Sequence, residues 1–543
     1  MVIRFLSVIL ILTGSIFNST AQTPAKPKLV VGIVVDQMRY DYLERFKSSF
    51  GKDGFLRLMN EGSNFTFAHY NYIPTYTAPG HAAVYTGTTP YFNGIIANDW
   101  YSRKYKKYIY CVEDSSVKGV GSVGDEGMRS PKNLVSSTIT DQLQLSNNGK
   151  SKVISVSIKD RGSILPGGHL SDGSFWYDGK NGKFITSTFF MNELPTWVQT
   201  FNSRKLPDDF LKRTWNLTFT LNNYANSFPD ESPYEVDIFN EGKTSFPHHL
   251  DKIEQETKYT TLIHTPFGND LLLEFAKTAL VSENLGKSDV PDFLAISFSS
   301  TDYIGHTFGP NSVEIMDTYI KLDAQLAELF SALDKQVGKG NYLLFLTADH
   351  GVVENIYSLA DENYSAGNVV TSAMSDSVKS FFRKKYGTDQ LLEKISNDQI
   401  FLDWNLIAKM TIDPKTIQNE VRQVLRYHFP QISTIYIRSE LETRRASRTA
   451  EFLLNGFNPA RSGDVMFEVQ ASYITDAEKR GTTHGSPYNY DTHVPFLFYG
   501  WNIPVQTTNE PVYICDISAT VANLLGIMEP DGSMGIPVIK LKK

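Results

Sequence analysis

Short apolar runs recur along this chain, and several of them end just before a polar side chain that can carry chemistry. Four such runs, each with the side chain that follows it, are KLVVGIVV at 28–35 before Asp36, KVISVSI at 152–158 before Lys159, FLAISF at 293–298 before Asp302, and YLLFL at 342–346 before Asp349. A fifth run, VPFLFY at 494–499, follows His493. Apolar runs of this length are typical of strands that are buried on both faces of a parallel sheet.

Amphipathic stretches separate these runs. Residues 41–60, 271–285 and 312–337 each place their apolar side chains on one face of a predicted helix. Strands that alternate with helices predict an α/β fold, namely a doubly wound, mostly parallel sheet with helices on both faces. Ligands of such sheets bind beyond the carboxyl ends of the strands, which is where the four polar side chains fall.

Two stretches interrupt the alternation. Residues from about 162 to 265 are rich in Asn, Pro and aromatic side chains, and residues from about 355 to 465 contain charged segments with a helical pattern. We interpret both as insertions that cover the active face of the sheet, because the chain shows neither an internal repeat nor a low-complexity linker. The predicted organisation is a signal peptide at 1–21 and one catalytic domain at 22–543 that carries the two insertions.

The first residues have the pattern of a secretory signal peptide. Arg4 precedes an apolar run from Phe5 to Leu12, and the small residues Ser19 and Ala21 have the spacing that a signal peptidase reads. We expect cleavage after Ala21 and a periplasmic or secreted protein without stable membrane insertion. The alternative is an N-terminal membrane anchor, for which this apolar run is short.

Composition narrows the classes of function. Hydrophobic residues make up 41% and charged residues 20% of the 543 residues, as in ordinary globular proteins, and the net charge is −7. A mildly acidic chain has no general attraction for nucleic acid, so no nucleic-acid partner is expected, and an anionic substrate needs local positive charge. The two cysteines, Cys111 and Cys515, belong to no CxxC motif, and whether they pair is left open. The oligomeric state is open too, with a monomer as the simplest case.

Six Asp and His side chains occur where metal ligands are expected. They are Asp36, Asp302, His306, Asp349, His350 and His484. An Asp and a His four residues apart share one face of a helix, although the spacing of Asp302 and His306 is by itself common. By residue type alone, Asp36 could instead cap a helix and His484 could be an exposed loop residue. Oxygen and nitrogen donors without thiolates suit two zinc ions, with other first-row metals possible by ligand type alone, and two metal ions suit an in-line displacement.

A threonine lies at the predicted start of a helix. In TYTAPGH at 75–81, Pro79 suits the first helical turn, and Thr77 is then close to backbone N–H groups that favour anions. Residue type alone favours a helix cap at Thr77, since a threonine hydroxyl is a poor nucleophile unless a base or a metal activates it. Neighbouring metal ions would remove that difficulty, which makes Thr77 the candidate nucleophile.

These motifs occur in the order found in the alkaline phosphatase superfamily. They are the strand before Asp36, TAPGH at 77–81, Asn98, DYIGH at 302–306, DHG at 349–351 and THG at 483–485. Within that superfamily the chain most resembles the phosphate-irrepressible, PafA-type alkaline phosphatases, and the resemblance spans residues from about 28 to 530. The segment DISATVANLLG at 516–526 is similar to the helix that closes this fold, except that Ala519 replaces the usual proline.

The resemblance implies two zinc sites. The first would be formed by Asp302, His306 and His484. The second would be formed by Asp36, Asp349 and His350, together with the oxygen of Thr77. His81, which also belongs to the TAPGH motif, is interpreted as a structural residue.

The resemblance also implies residues that bind the substrate. Asn98 and Arg161 would hold phosphoryl oxygens, and Lys159 would face the developing negative charge. A planar guanidinium matches two oxygens and a lysine acts as a point charge, which agrees with these roles. Without the resemblance, Lys159 and Arg161 would more readily be interpreted as part of a solvated loop.

The function implied is that of a secreted, zinc-dependent phosphomonoesterase that converts small phosphate monoesters to phosphate and alcohol through a phosphothreonine at Thr77. The nearest alternative is a nucleotide pyrophosphatase/phosphodiesterase on the same fold. The Lys159 and Arg161 pair favours monoesters, whose third anionic oxygen needs a cationic partner. A remote alternative is a non-catalytic phosphate- or metal-binding protein, which would not need Thr77. The physiological substrate, regulation by phosphate and the role of the insertions are not specified by the sequence.

Overall fold

The computed structural model describes residues 26–441 and 447–539. The predicted signal peptide at 1–21 lies outside these residues. Within the two described ranges, no helix has the length and apolar character needed to cross a membrane.

A mixed sheet forms the frame of the catalytic domain, and in the described residues it has ten strands. In chain order they are β1 Leu29–Val35, β2 Ser63–Phe65, β3 Gly119–Val120, β4 Val153–Ser157, β5 Gly173–Asp178, β6 Lys183–Ser187, β7 Asp292–Phe298, β8 Tyr342–Thr347, β9 Phe496–Gly500 and β10 Gln506–Thr508. Their order across the sheet is β10–β2–β9–β8–β1–β7–β4–β5–β6–β3. The five central strands, from β8 to β5, are parallel, and their outer neighbours β9 and β6 are antiparallel. The predicted α/β fold with a mostly parallel sheet is confirmed.

The apolar runs become the central strands because both of their faces are covered. Every residue of β1, β7 and β8 is buried. In register, Val34 of β1 lies opposite Ser297 of β7 and Thr347 of β8, so the three strands end at nearly the same level. Polar residues that follow these strands therefore emerge at one edge of the sheet.

Helices and short strands complete the catalytic domain. Its helices are Asp41–Arg45, Phe55–Glu61, Thr77–Thr86, Pro90–Asn93, Ile139–Ser146, Asp160–Gly167, Thr196–Ser203, Leu206–Phe210, Lys258–Leu262, Pro266–Ser282, Ser300–Phe308, Val313–Gln336, Ile356–Asp361, Asn489–Thr492 and Asp516–Leu525. Its shorter strands are Ala68–His69, Asp99–Ser102, Lys107–Tyr110, Thr214–Trp215, His248–His249 and Val512–Tyr513.

The helix predicted over 41–60 is two helices separated by a turn. The carboxylate of Asp323 accepts hydrogen bonds from the backbone N–H groups of Gly51 and Phe55, both at 2.7 Å. A Cβ atom on Gly54 would lie 2.2 Å from an Asp323 oxygen, so this close approach requires glycine. Binding of the backbone to Asp323 replaces the continuous helix that the periodicity predicts.

A cap lies within the second stretch that was predicted as an insertion. Its strands Leu392–Ser396, Gln399–Leu402, Val465–Val469 and Ile432–Ile437 are neighbours in that order and pair antiparallel. Its helices are Thr371–Tyr386, Trp404–Lys409, Pro414–His428, Arg438–Leu441 and Arg448–Gly456, and Gly367–Val369 pairs with Tyr473–Thr475 at its border. Two of these helices, Thr371–Tyr386 and Pro414–His428, pack on the sheet around a hydrophobic core separate from that of the catalytic domain.

The first stretch predicted as an insertion, at about 162–265, differs from that prediction. Strands β5 and β6 of this stretch extend the central sheet. Phe175 and Tyr177 of β5 belong to the main core, whereas the intervening Trp176 packs in a second cluster on the opposite face. The aromatic composition that suggested an insertion therefore belongs to a strand that is buried on both faces.

Candidate active site

The carboxyl ends of the central strands bring the predicted site residues together. Asp36 follows β1, Lys159 follows β4, and Asp349 follows β8 after one intervening residue. Asp302 comes from the helix Ser300–Phe308, which begins directly after β7. The equal level of the strand ends explains why residues more than 300 positions apart in the chain meet at one place.

One group of candidate metal ligands consists of Asp302, His306 and His484. The Nε2 atom of His306 is 3.2 Å, and that of His484 is 3.8 Å, from Oδ1 of Asp302. One helix carries Asp302 and His306 a single turn apart, and a loop carries His484. One ligand atom of each residue lies within 4.8 Å of the other two, so a single cation can contact all three.

A second group consists of Asp36, His350 and again Asp302. The Nε2 atom of His350 is 3.5 Å from Oδ1 of Asp36 and 3.6 Å from Oδ2 of Asp349. Distance alone thus places Asp302 between the two groups, with Asp349 at the edge of the second. The resemblance had implied Asp349 in place of Asp302 in that second group.

The three imidazoles share one hydrogen-bonding pattern. Each Nδ1 is within 2.9 Å of a backbone carbonyl, that of Thr482 for His306, Gly351 for His350 and Thr75 for His484. Nδ1 must carry the proton to donate to a carbonyl, so the neutral ring presents an unprotonated Nε2 to the carboxylates. This is the form in which histidine binds a metal.

The charges and donors of the cluster fit two divalent cations. Both carboxylate oxygens of Asp36 are buried and accept no hydrogen bond from the described residues, although Nζ of Lys159 lies 2.8 Å from Oδ2. Burial, together with repulsion from Asp302 and Asp349, raises the pKa of Asp36 well above its ordinary value. Burial lowers the pKa of His350 and lowers that of His484 strongly, so both rings favour the neutral form that can bind a metal. Three carboxylates beside neutral imidazoles are a donor set that suits zinc.

Thr77 is the first residue of the buried helix Thr77–Thr86, and Tyr76 occupies the cap position. The side chain of Thr77 therefore does not cap the helix. Its Oγ1 atom lies 3.4 Å from Nε2 of His350 and 3.4 Å from Nζ of Lys159. A Cβ atom on Gly80 would lie 2.4 Å from the carbonyl oxygen of Asp349, so glycine in the TAPGH motif lets this helix start approach the candidate ligands.

The residues predicted to bind phosphoryl oxygens lie around Thr77. Lys159 is 4% exposed and contacts Asp302 as well as Asp36, so it is not the solvated loop residue that its position alone suggested. The guanidinium of Arg161 donates to the hydroxyl of Tyr110 at 3.0 Å. The side-chain oxygen of Asn98 accepts from the N–H of Ala78 at 2.9 Å, which leaves its amide nitrogen as a donor close to the nucleophile.

Two residues support the candidate ligands, of which Gln37 was not singled out by the sequence and His81 was interpreted there as structural. Gln37 donates from its backbone N–H to Asp349 at 3.1 Å and from its side-chain amide to Asp302 at 2.7 Å, with a φ of 65° that few non-glycine residues adopt. His81 is buried with Nδ1 2.9 Å from the carbonyl oxygen of Thr77 and 3.2 Å from Asp349. Its role is structural in the sense that it joins the helix start to a candidate ligand. The signal for Gln37 was its position directly after Asp36.

A family profile covers most of the chain. The profile of type I phosphodiesterases/nucleotide pyrophosphatases matches residues 30–492. The chain belongs to this family. Relatives with curated names include alkaline phosphatases that are similar to the chain over nearly its whole length.

Two such relatives are alkaline phosphatase PhoV of Synechococcus elongatus and alkaline phosphatase PafA of Elizabethkingia meningoseptica. PhoV is 42% identical over 522 residues, which cover 96% of this chain and 94% of PhoV. PafA is 39% identical over 542 residues, which cover 99% of this chain and 98% of PafA. A third relative, from Myroides odoratus, is 40% identical over 94% of each chain and is named a calcium-transporting ATPase. The predicted resemblance to PafA-type alkaline phosphatases is confirmed.

Solved structures of PafA have the same fold. The wild-type structure superposes with a TM-score of 0.92, at 39% identity over 96% of this chain and 100% of that one. Another structure is of a PafA variant with one threonine, one asparagine, one lysine and one arginine replaced. In that variant the threonine and the asparagine are 21 positions apart, as are Thr77 and Asn98, and the lysine and the arginine are two positions apart, as are Lys159 and Arg161.

Proposed function

We propose that this chain is a phosphate monoester hydrolase of the alkaline phosphatase type, with Thr77 as its nucleophile. The observation that carries the proposal is the position of the Thr77 hydroxyl. It lies at a buried helix start, 3.4 Å from Lys159 and 3.4 Å from His350, beside two groups of candidate metal ligands. PhoV and PafA, which share nearly the whole chain, are named alkaline phosphatases, which supports the same activity here.

The cofactors we propose are two zinc ions. Asp302, His306 and His484 would hold one. Asp36, Asp349 and His350 would hold the other, with the Thr77 oxygen beside it. When bound, such ions supply positive charge that stabilises the negative oxygens of a phosphoryl transfer.

The residues of the chain position the phosphoryl group and form the covalent intermediate. Oγ1 of Thr77 gives up its proton and attacks phosphorus while the bond from phosphorus to the alcohol oxygen breaks. The alcohol oxygen leaves with that electron pair and takes up one proton, so the step neither consumes nor releases a proton overall. Water then cleaves the phosphothreonine and releases phosphate. Backbone N–H groups at the helix start, the Asn98 amide and the Lys159 and Arg161 cations would hold the phosphoryl oxygens, so catalysis would rest on positioning and electrostatics.

A phosphodiesterase activity is the second candidate, because the family profile is named for phosphodiesterases and nucleotide pyrophosphatases. A diester carries one negative charge fewer than a monoester and has less use for two cations beside the metals. The buried Lys159 and the partly buried Arg161 therefore favour monoesters. An exposed pair would have been weaker support, since solvent screens exposed charges.

A direct comparison of substrates tests the proposal. The purified protein should hydrolyse p-nitrophenyl phosphate with a far higher kcat/KM than bis-p-nitrophenyl phosphate. Mass spectrometry of acid-quenched enzyme should find one phosphoryl group, on Thr77, and elemental analysis should find about two zinc ions per chain. A preference for the diester would assign the chain to the phosphodiesterase activity, and full turnover after exhaustive chelation would contradict the metal sites. ATP with and without calcium ions is an informative control, given the name of the Myroides relative.

The cellular location is part of the same proposal. We propose that residues 1–21 are removed and that the mature enzyme is periplasmic or secreted. Sequencing of the N-terminus of protein purified from the periplasm or the medium should begin at Gln22. A retained N-terminus in the membrane fraction would favour an anchor.

A further inference from the structure

A cavity of about 150 Å³ lies between the cap and the loop that carries His484. Tyr76 and His484 line it from the catalytic domain, and Glu468 and Tyr473 line it from the cap and its border. Tyr76 directly precedes the candidate nucleophile, and its ring lies 5.6 Å from that of His484 in an edge-to-face arrangement. The cavity therefore borders the segment that carries the candidate nucleophile and the candidate metal ligand His484.

The charge that lines this cavity is negative. Asp398, Glu468 and Asp491 line it, and no lysine or arginine is among its described lining residues. Glu468 is 4% exposed, and no described residue donates a hydrogen bond to its carboxylate. Asp491 is 1% exposed, and its Oδ1 atom has no hydrogen-bond partner in the described ranges. Buried acceptors without donors are costly unless a donor or a cation meets them.

The hairpin turn that carries Asp398 is fixed next to the phosphoryl site. Asn397 and Asp398 form a two-residue turn with φ values of 50° and 56°, the conformation that joins tightly paired strands. The side-chain amide of Asn397 donates to the backbone carbonyl of Asp99 at 2.7 Å. Because Asp99 follows Asn98, this contact holds the acidic turn beside Asn98, the candidate hydrogen-bond donor to a phosphoryl oxygen.

The three carboxylates do not form a site for a single small metal ion. Among the described residues, groups of ligand atoms that lie within 4.8 Å of one another occur at the candidate catalytic cluster and do not include these three. A larger cation, whose charge is surrounded by apolar carbon, can contact separated carboxylates at the same time. The rings of Tyr76, Tyr473 and Tyr490 also line the cavity, and aromatic faces attract organic ammonium groups.

We propose that this cavity binds an ammonium group on the alcohol part of the substrate, so that the preferred substrates are phosphate monoesters of amino alcohols. The inference rests on the proposed phosphomonoesterase function and names its substrate class. A substrate of this class has a dianionic phosphoryl end, which faces Lys159 and Arg161, and a cationic end, which faces Glu468. At each end, the charge of the site is opposite to that of the substrate group that it faces.

The pKa values of the three carboxyl groups agree with this assignment, although Asp398 accepts a hydrogen bond from Thr475 and Oδ2 of Asp491 accepts hydrogen bonds from Gly485 and Ser486. Burial, with repulsion from Asp398 and Asp491, raises the pKa of Glu468 well above its ordinary value. Burial also raises the pKa of Asp398 to about 6 and that of Asp491 to about 7. A cation among these groups would favour their ionised forms and offset the repulsion.

The test compares O-phosphoethanolamine with n-propyl phosphate, which has a similar length and no amine. An ammonium also makes the alcohol a better leaving group, so the deciding quantity is the change in the kcat/KM ratio between the two substrates when Glu468 is replaced. We expect Glu468→Gln to lower this ratio about tenfold, as for the loss of one charge from a close ion pair. Glu451→Gln, which alters an exposed carboxylate elsewhere on the cap, should leave the ratio unchanged. An unchanged ratio in Glu468→Gln would overturn the inference.

A second measurement needs no variant and so does not depend on the folding of Glu468→Gln. Free ethanolamine should inhibit hydrolysis of p-nitrophenyl phosphate by the wild-type enzyme competitively, whereas 1-propanol at the same concentration should not. Equal effects of the two alcohols would overturn the ammonium site while p-nitrophenyl phosphate hydrolysis itself upholds the proposed function. A wild-type enzyme without any monoesterase activity would overturn both.

Discussion

The catalytic domain and the cap supply different parts of the site in different ways. Most candidate metal ligands and Thr77 follow the central strands or lie in helices beside them, His484 comes from a loop, and backbone carbonyls hold the three histidine rings. The acidic side chains of the cavity come mostly from an antiparallel sheet with a separate hydrophobic core. On the proposed function, phosphoryl chemistry would belong to the central sheet, and changes in the cap would alter the preference for the alcohol without disturbing that chemistry.

The largest effect is expected at Thr77. Thr77→Ala removes the hydroxyl that we propose forms the covalent bond, so kcat/KM for p-nitrophenyl phosphate should fall about 10⁴-fold. Zinc content and the thermal unfolding midpoint should stay near the wild-type values, because the helix start itself is kept. Thr77→Ser is the matched control and should retain part of the activity. Near wild-type turnover of the alanine variant would exclude this nucleophile.

The next effect separates monoesters from diesters. Replacing Lys159 and Arg161 together with Ala removes the two cations that we propose bind the dianionic phosphoryl group. We expect a loss of roughly 30- to 1,000-fold in kcat/KM for aryl monoesters and a much smaller loss for matched diesters. Steady-state kinetics with both substrates measures the difference. Comparable losses would mean that these cations do not select the monoester.

A smaller effect is expected at Gln37, which holds the candidate metal ligand Asp302 in place but is not itself a candidate ligand. Gln37→Ala removes the amide that donates to Asp302 at 2.7 Å and should weaken metal binding about 10- to 100-fold. Titration of activity against free zinc measures this shift, and excess zinc should restore most of the turnover. The exposed Gln506→Ala is the control. A loss of activity that zinc does not restore would indicate a role other than holding the ligand.

The smallest effect on catalysis is expected in the core of the cap. Ile417 is fully buried in that core, and Ile417→Ala should destabilise the cap by about 2–5 kcal/mol. Below the new unfolding temperature, kcat for p-nitrophenyl phosphate should change by less than about twofold. Calorimetry and kinetics on the same sample measure both quantities. A large loss of kcat in the folded variant would show that the cap helps to hold the nucleophile or the metal ligands.

Much of the frame could be predicted because its signals are local. The apolar runs specify the central strands, and the polar residue after each run specifies the edge at which the candidate site forms. Strand β5 was missed because its apolar part is only the three consecutive aromatic residues Phe175, Trp176 and Tyr177, which are covered on both faces only by tertiary packing. The domain boundaries and the role of each site residue stay predictions that experiments must test.

The supporting contacts could not be predicted because they join distant residues. Gln37 meets Asp302 across 265 positions, and Asn397 meets Asp99 across 298. No periodicity or motif encodes such pairs, since they depend on how the cap hairpin and the strand ends come together in three dimensions. The acidic cavity, which takes side chains from both regions, was invisible in the sequence for the same reason.

The hydrogen bonds at Nδ1 of the three imidazoles affect how the candidate metal site can evolve. Their acceptors are main-chain oxygens of Thr75, Gly351 and Thr482, which every amino acid possesses. Substitution at those positions leaves the acceptor in place as long as the chain follows the same path. The orientation of the rings thus depends on the path of the backbone and not on the identity of neighbouring side chains. Substitutions that leave the backbone path unchanged can therefore accumulate in evolution while the three rings keep their orientation.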